Sequence, residues 1–427
     1  MNPMNVLIRS ARIFSPGSPF HGQTKDLLIN NGTIISVQPV SDQRPADTEI
    51  IEGTDLCVSP GWFDLHVNFC EPGFEQREDL QSGSRAAAQG GFTGVLLMPS
   101  TKPAMDTKST IEFVRKRTEG GLVDVLPAGC ITVGREGKDL AELYDMFLSG
   151  APAFTDDQHA LRNAGVMLRA LHYVKDFGGK LMVCCDDTDL SNNGQMNEGP
   201  TSTMLGLKGI PTLAESVMVA RDLQLLEYSG GSLHLSTIST GESVKLIRAA
   251  KQKGLRVTAD VAAYLLALSD EELTGFDTHA KVKPPLRAAE DRDALIAGLL
   301  DGTLDAISTD HRPLDVESKE KEFDLAEFGM IGLETAFGAL NTVLQGKVST
   351  DKLVEALAVN PRKILGLPVP VVQEGAAANL TVFSTSQTWQ VTTKSFRSKS
   401  ANSPFIGRTL TGKPIAVIHN NQYVRIP

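Results

Sequence analysis

The sequence predicts an α/β protein in which a (β/α)8 barrel is joined to a small β-sandwich domain built from both ends of the chain. Between about residues 59 and 365, short apolar segments alternate with longer stretches of helical periodicity, which is typical of repeated βα units and a parallel sheet. Towards either end, short runs of alternating polar and apolar residues are broken by Gly and Pro, as in antiparallel strands. The predicted domains are therefore 1–58 with 366–427 for the sandwich, and 59–365 for the barrel.

The elements can be placed in order along the chain. The strands predicted for the sandwich begin at Val6, Asp26, Thr33, Asn379, Thr388 and Pro414. The eight strands predicted for the barrel are 61–69, 91–99, 123–132, 151–156, 180–185, 232–237, 255–261 and 304–310. Helical patterns lie between most of these strands, for example at 160–177, 212–228 and 242–253. In such a barrel the chemistry lies at the carboxyl ends of the strands. The polar residues that fall there are His66, Asp156, Cys184, Thr237 and Asp310.

Composition excludes several functional classes. The chain has 427 residues, 41% of them hydrophobic, so it can bury a large core. Its net charge is −10 and no run of Lys or Arg stands out, which argues against a nucleic-acid partner. No charged segment followed by an apolar run opens the sequence, and no apolar stretch of about 18 residues occurs, so we expect a cytoplasmic protein without a membrane partner. Five cysteines without Cys-x-x-Cys spacing predict neither a disulfide framework nor a zinc ribbon.

The segment from Gly61 to Gly73 has the form of a metal-hydrolase strand with one altered ligand. Side chains at positions i and i+2 of a strand point the same way, so His66 and Asn68 face one site. A His-x-His pair would give a divalent metal two imidazoles, whereas His-x-Asn gives one imidazole and a weak amide oxygen. The consequence depends on whether this change is isolated.

Ordered motifs along the chain carry a family resemblance. They are Pro60-Gly-Trp-Phe-Asp-Leu-His, Glu71-Pro-Gly, Ala153-Phe-Thr-Asp-Asp, Asn197-Glu-Gly-Pro, Leu207-Lys-Gly-Ile-Pro, Pro284-Pro-Leu-Arg, Ser308-Thr-Asp-His, Gly332-Leu-Glu-Thr-Ala and Asn402-Ser-Pro-Phe-Ile-Gly. From about residue 5 to 425 the chain resembles dihydroorotases of the amidohydrolase superfamily. The resemblance also implies the barrel with a composite β domain.

The resemblance implies a zinc site with ligands at defined positions. Dihydroorotases of this type hold zinc with a His-x-His pair, a bridging Asp or carboxylated Lys, two further His residues and a final Asp that serves as general base and acid. Carried over, His66, Asp156 and Asp310 match this pattern, and Asp310 would be the proton shuttle. The ligand positions at Asn68, Cys184 and Thr237 are substituted.

These substitutions are costly for metal binding. A Thr hydroxyl or an Asn amide holds zinc poorly, and three lost ligands could cost more than about 10³-fold in affinity or activity. We therefore expect at most one zinc ion, on His66, Asp156 and Asp310 with Cys184 as a further ligand, or no metal. Taken alone, Cys184 is predicted to be a small buried hydrophobe, since free Cys is commonly buried.

The substrate positions are altered as well. The family binds the carboxylate of its substrate with an Arg, an Asn and a His, and this chain has Cys70, Ser100 and Leu314 there. Each charge-assisted hydrogen bond to a carboxylate is worth about 1.5–3 kcal/mol, so losing three should abolish useful recognition of that anion.

Neighbouring polar residues have simpler explanations. His234 has the opposite strand parity from Thr237 and is predicted to be structural, and Cys185 should face the helices. His311 adjoins Asp310 and has either a structural or a site role. Of Asp156 and Asp157, only one can face the site if both lie on an extended strand.

Two functions follow. The favoured one is a dihydroorotase-like protein of pyrimidine biosynthesis that has lost catalysis and acts as a structural or regulatory partner, with aspartate transcarbamoylase the partner that the resemblance suggests. The alternative is an active dihydroorotase or related cyclic-amide hydrolase with a single metal. The resemblance also predicts a homo-oligomer, a dimer, and the substituted anchors make a small-molecule substrate doubtful.

Overall fold

The computed structural model describes residues 4–42 and 47–427. Strands from both ends of the chain share one eight-stranded sheet, called the terminal sheet here. Its strands are Asn5–Ile13, Thr24–Asn30, Thr33–Gln38, Glu49–Ile51, Leu56–Pro60, Leu380–Gln390, Thr409–His419 and Gln422–Arg425. The predicted segments from both ends thus form strands, and they do so in a single sheet. The predicted domain boundaries remain a prediction, and residues 1–3 and 43–46 lie outside the described residues.

One pairing joins the two ends of the chain. Leu56–Pro60 runs antiparallel to Leu380–Gln390, with Leu380 opposite Pro60 and Ser384 opposite Leu56. On its other side the same short strand pairs in parallel with Asn5–Ile13. Apolar residues from both ends, including Val6, Ile8, Val382 and Ile418, pack into one buried cluster against this sheet. That shared core explains why the alternating pattern recurs near both ends of the sequence.

Parallel strands occupy the middle of the chain, as predicted. A three-stranded sheet contains Trp62–Val67, Phe92–Leu97 and Asp124–Pro127. A four-stranded sheet contains Leu181–Cys184, Leu233–Ser236, Val257–Ala262 and Ala306–Ser308. Seven of the eight predicted segments thus contain a strand. Apart from Asp124–Pro127, these strands are buried along nearly all of their length, which explains why their sequences are largely apolar.

Isolated parallel bridges connect these two sheets. Phe154 pairs with Gly129 on one side and with Leu181 on the other. At the opposite edge, Val67 pairs with His311. Within the predicted strand 151–156, only Phe154 makes a β-bridge. The extended conformation ends by Asp157, which has a φ of 55°.

Helices lie between the parallel strands. The α-helices are Leu80–Gln89, Lys108–Thr118, Leu143–Leu148, Ala164–Phe177, Thr188–Ser191, Pro200–Leu205, Leu213–Ser229, Gly241–Gln252, Ala263–Ala267, Ala289–Leu300, Val316–Lys319, Ala336–Leu344, Thr350–Val354 and Asn360–Leu365. A π-helical turn, Glu355–Val359, joins the last two helices. Short 3₁₀ segments lie at Val133–Arg135, Asp270–Gly275, Thr278–Ala280 and Thr393–Ser395, and a two-residue parallel pair joins Met196–Asn197 to Gly209–Ile210.

The helix Ala164–Phe177 illustrates how local sequence fixes these elements. The Asn163 side chain accepts hydrogen bonds from the amides of Gly165 and Val166, which caps the first turn. Gly178 ends the helix with a φ of 73°, a conformation that glycine adopts without strain. The face turned to the core carries Val166, Met167, Ala170, Leu171 and Val174. Among the described residues, the helices lack the length and apolar character needed to cross a lipid bilayer.

Candidate functional site

His66 lies at the carboxyl end of the strand Trp62–Val67 and is 2% exposed. Its Nε2 atom is 2.8 Å from Asp157 Oδ1 and 3.4 Å from Asp310 Oδ1. Burial disfavours a charged imidazole, but the charges of Asp310 and Asp157 outweigh it and raise the pKa of His66 to about 9. His66 Nε2 therefore lies between the carboxyl groups of Asp157 and Asp310.

The carboxylate beside His66 belongs to Asp157, and not to Asp156 as predicted. Asp156 accepts hydrogen bonds from the amides of Ile131 and Thr132 at 2.9 and 3.0 Å and from the Thr132 hydroxyl at 2.5 Å. The prediction assumed an extended backbone, in which alternate side chains face opposite ways. Because Asp157 has a left-handed φ of 55°, that alternation breaks and Asp157 turns towards His66. Asp156 instead ties the loop at residues 131–132 in place.

Asp310 takes the position expected from the sequence. It follows the strand Ala306–Ser308, and Tyr264 donates a hydrogen bond from its hydroxyl to Asp310 Oδ2 at 2.7 Å. Its Oδ1 atom is buried and accepts no hydrogen bond from the residues that the structure describes. Burial raises the pKa of Asp310 against the charges of His66 and Arg312. Asp310 is thus a buried carboxyl group with one free acceptor.

Arg312 completes the site, and the sequence analysis missed it. Its Nη2 atom lies 3.0 Å from Asp157 Oδ1 and 2.9 Å from Asp157 Oδ2. Burial alone would raise the pKa of Asp157, but the Arg312 guanidinium and His66 hold it well below its usual range. His66, Asp157, Asp310 and Arg312 are called the central cluster here: two basic and two acidic side chains, all largely buried.

The three substituted ligand positions differ in what surrounds them. Asn68 is 6% exposed, and its Nδ2 atom has no hydrogen-bond partner within the described ranges. Cys184 is buried, and burial raises the pKa of its thiol above the usual range, which disfavours the thiolate that zinc requires. Thr237 donates its amide to Asp260 Oδ1 at 3.1 Å. None of these side chains adds a good zinc ligand to the central cluster.

The predicted substrate positions are near the cluster but are not anion anchors. The Ser100 hydroxyl makes a short hydrogen bond to Asp157 Oδ2 and accepts one from Arg135 Nη1 at 2.8 Å. Cys70 and Leu314 are buried neutral side chains. Arg135 therefore brings a cation to the Ser100 position from another loop.

Three neighbouring residues are structural in their contacts. His234 lies 2.9 Å from the Thr258 hydroxyl through Nδ1 and 2.8 Å from Asp260 Oδ2 through Nε2. His311 Nδ1 accepts the Gly332 amide at 3.2 Å. The Cys185 thiol points to Asp222 on the helix Leu213–Ser229, the side expected from its parity.

The residues of this site do not fit a zinc ion. Zinc takes four ligands in a tetrahedral arrangement. Within residues 4–42 and 47–427, no group of three or more His, Cys, Asp and Glu side chains is arranged to hold a metal. Both oxygens of Asp157 already lie against Arg312 and Ser100. The predicted zinc ion on His66, Asp156, Cys184 and Asp310 thus lacks a matching set of donors, because Asp156 is held by the amides of Ile131 and Thr132 and by the Thr132 hydroxyl.

Little free space lies next to the cluster on the Cys184 side. A cavity of about 10 Å³ is lined by Cys184, Thr237, Lys283 and Arg287, among others. This is about the space of one water molecule, whereas pockets for small molecules span about 300–1,000 Å³. A groove of about 470 Å³ lies between the helices Leu80–Gln89 and Lys108–Thr118, outside the central cluster.

Solved structures define the class of protein. L-hydantoinase (dihydropyrimidinase) from Arthrobacter aurescens superposes with a TM-score of 0.85 at 23% identity, covering 99% of this chain and 96% of that one. A D-hydantoinase superposes with a TM-score of 0.81 at 21% identity, covering 99% and 97%. The chain therefore shares the fold of these two structures.

Sequence relatives then define the family. The Dihydro-orotase-like family model matches residues 56–243. The dihydroorotase of Syntrophus aciditrophicus is 43% identical over 423 residues, which is 99% of either chain. That of Pelotomaculum thermopropionicum is 44% identical over 423 residues, which is 99% of this chain and 98% of the relative. The chain belongs to the dihydroorotase-like family, as its motifs predicted.

Arg312 and Asp157 were open to detection from the sequence. Arg312 follows the predicted ligand Asp310 by two residues. Asp157 adjoins the predicted Asp156, and only the backbone conformation distinguishes the two. The Tyr264 contact with Asp310 had no signal in the sequence that we could identify.

Proposed function

We propose that this dihydroorotase-family protein of pyrimidine biosynthesis does not perform metal-dependent hydrolysis and serves as a structural or regulatory partner. The observation that carries the proposal is the ion pair between Arg312 and both oxygens of Asp157, at 3.0 and 2.9 Å. A carboxylate engaged in this way has lost much of its capacity to bind a metal. Without a bound metal, water keeps a pKa near 15.7 and supplies no hydroxide at neutral pH.

We also propose that the parallel strands close into a (β/α)8 barrel. The bridges at Phe154 and between Val67 and His311 support this proposal, because they link the three- and four-stranded sheets at both edges. The central cluster would then lie at the carboxyl end of the barrel, where the sites of such folds are found. The terminal sheet supports a composite β domain, for which we retain the boundaries 1–58 with 366–427.

The activity test compares the wild type with Asp310→Asn. Both proteins are assayed for dihydroorotate hydrolysis and for carbamoyl-aspartate cyclisation, once after zinc loading and once after chelation. We expect the two proteins to turn over at equal, background rates under every condition. Zinc-dependent turnover that disappears in Asp310→Asn would overturn the proposal, because Asp310 is the acid and base that the family chemistry needs.

The partner that we propose is aspartate transcarbamoylase, and the proposed self-association is a dimer. Both come from the family resemblance. Light scattering after size exclusion would measure the mass of the chain alone and of the chain mixed with aspartate transcarbamoylase from the same genome. A stable complex of defined stoichiometry supports the partner, and separate elution at micromolar concentration contradicts it.

The second candidate is an active dihydroorotase with a single metal on His66, Asp157, Asp310 and Cys184. Two observations favour it. The relatives at 43–44% identity carry the name dihydroorotase, and nothing in those names indicates lost activity. Arg135 also lies 2.8 Å from Ser100, where it could replace the missing anchor for a substrate carboxylate. An Arg135→Gln variant with a raised KM and an unchanged kcat would support this candidate, as would one zinc per chain that is lost in Cys184→Ala.

A further inference from the structure

The central cluster raises an electrostatic problem of its own. The side chains of Asp157 and Asp310 are 1% and 3% exposed, and that of His66 is 3% exposed. Two buried carboxylates require compensating positive charge, because an isolated ionised group in a low-dielectric interior is strongly disfavoured. In the metal-dependent enzymes that the family resemblance implies, metal ions supply such charge. Here the positively charged group that contacts Asp157 through both carboxylate oxygens is the guanidinium of Arg312.

We propose that Arg312 is a tethered cation that takes over the electrostatic role of the metal and completes the cluster without one. Its guanidinium makes two contacts with Asp157, whose other neighbours are His66 and the Ser100 hydroxyl. A cation attached to the chain thus lies beside the buried carboxylate of Asp157. Arginine suits this position because it remains protonated even when buried.

The surrounding chain is shaped to hold this arginine. The Arg312 amide donates to Met330 O at 2.8 Å, and its carbonyl accepts from Asn402 Nδ2 at 3.0 Å, so the backbone is fixed on both sides. Gly329 has a φ of 144°, and a Cβ atom at this position would lie 2.8 Å from both Cγ and Cδ of Arg312. The absence of a side chain at residue 329 therefore makes room for the arginine stem. Asn402 and Gly329 come from different segments, which indicates a built site.

The role of Arg312 in place of a metal rests on the proposed function, in which the site works without a metal. A separate claim concerns stability, namely that the folded chain needs no metal and depends on Arg312 instead. Removing one partner of a buried ion pair is strongly destabilising, because the other charge is left uncompensated. Chelation should leave the Tm unchanged, because the chain already contains its own cation.

The experiment measures Tm for four proteins with and without a chelator and with added zinc. They are the wild type, Arg312→Met, Arg312→Lys and the control Arg169→Met, which alters an exposed arginine on the helix Ala164–Phe177. We expect the wild-type Tm to be the same under all three conditions. Arg312→Met should lower the Tm by about 5 °C or more, Arg312→Lys by less, and Arg169→Met by less than about 1 °C.

Chemical rescue covers the case in which Arg312→Met folds poorly. In Arg312→Ala, millimolar ethylguanidinium should restore part of the lost Tm, and the same concentration should leave Arg169→Ala unchanged. The inference is overturned by a wild-type Tm that falls on chelation, by an Arg312→Met variant as stable as the control, or by equal effects of ethylguanidinium on both alanine variants.

The two proposals fail in different ways. Zinc-dependent hydrolysis of dihydroorotate, together with a wild-type Tm that chelation leaves unchanged, would overturn the proposed function and leave the tethered cation standing. Background activity together with a harmless Arg312→Met substitution would overturn the tethered cation and leave the proposed function standing.

Discussion

Two buried His–Asp pairs in this protein are built in different ways. His234 and Asp260 lie 2.8 Å apart, and so do His66 and Asp157. Around His234 the remaining atoms bind neutral groups: Thr258 contacts its Nδ1, and Asp260 accepts from the Ser308 hydroxyl at 2.7 Å and from the Thr237 amide. This pair is satisfied by its neighbours and needs no further ligand.

The pair of His66 and Asp157 has charged neighbours, Arg312 and Asp310, and several polar atoms around it make no hydrogen bond among the described residues. His66 Nδ1, Asp310 Oδ1, Asn68 Nδ2 and Arg312 Nε are buried and have no hydrogen-bond partner in the described part of the chain. A structural pair has little reason to leave such atoms, because each costs free energy when buried. The two histidines are alike in sequence as single buried residues, but they differ in their surroundings: the neighbours of His234 satisfy its pair, whereas buried polar atoms around His66 lack hydrogen bonds among the described residues.

The largest expected effect is on Asp157. Asp157→Ala leaves both Arg312 and His66 without their common partner, and we expect a loss of about 3–5 kcal/mol in the free energy of unfolding measured in urea. Asp176→Ala, at an exposed carboxylate on the helix Ala164–Phe177, is the matched control. Equal losses in the two variants would show that the ion pair at Asp157 does not stabilise the fold.

A second prediction contrasts Asp157, whose pKa is lowered, with a buried acid whose pKa is raised. Burial raises the pKa of Glu334 to about 8, and the nearby charge of Glu78 acts in the same direction. The folded state therefore holds a proton between about pH 4.5 and 8 that the unfolded state releases, so this contribution is complete below about pH 4.5 and is lost as the pH rises through 8. We expect stability to fall by on the order of 3 kcal/mol across this window, and Glu334→Gln to remove most of the slope. A variant with the slope of the wild type would contradict the assignment.

His234 should give a smaller effect. His234→Gln removes hydrogen bonds to neutral and acidic partners without leaving a second cation unpaired, and we expect a loss of about 1–3 kcal/mol in the free energy of unfolding. Metal content and any hydrolytic activity should stay at wild-type values, because His234 lies outside the central cluster. A loss of bound zinc in this variant would place His234 in a metal site and remove the distinction between the two pairs.

The smallest effect is expected at Cys184. Because its buried thiol keeps its proton, Cys184→Ala should cost less than about 1 kcal/mol and leave the zinc content of the purified protein unchanged. In the folded wild type the thiol should also react slowly with a maleimide, which requires the thiolate. Rapid alkylation at neutral pH would indicate a depressed pKa and would restore Cys184 as a ligand candidate.

The fold was largely predictable because burial leaves a periodic record in the sequence. The strands Phe92–Leu97 and Leu181–Cys184 are apolar throughout, and the helix Leu213–Ser229 lies within one residue of its predicted bounds. The prediction of a strand at 151–156 was wrong, because only Phe154 in this segment pairs with the neighbouring strands. Periodicity reports which residues are buried, and it does not report how many backbone pairs form.

The site was predictable where family position fixes a side chain, and not where backbone conformation does. His66 and Asp310 came together as expected. The choice between Asp156 and Asp157 depended on the left-handed φ of Asp157. This conformation could not be predicted from the residue type, since aspartate adopts both extended and left-handed conformations. Arg312 lies only two residues after Asp310 in the sequence, but its role became evident only from its distance to Asp157.

The pairing of Leu56–Pro60 with Leu380–Gln390 also governs when the chain can finish folding during synthesis. The strands before residue 60 leave the ribosome early, yet one neighbour of Leu56–Pro60 is made more than 300 residues later. At about 5–20 residues per second, this edge of the sheet stays open for roughly 15–60 s, so the nascent protein carries an unpaired strand that chaperones or partner chains can reach.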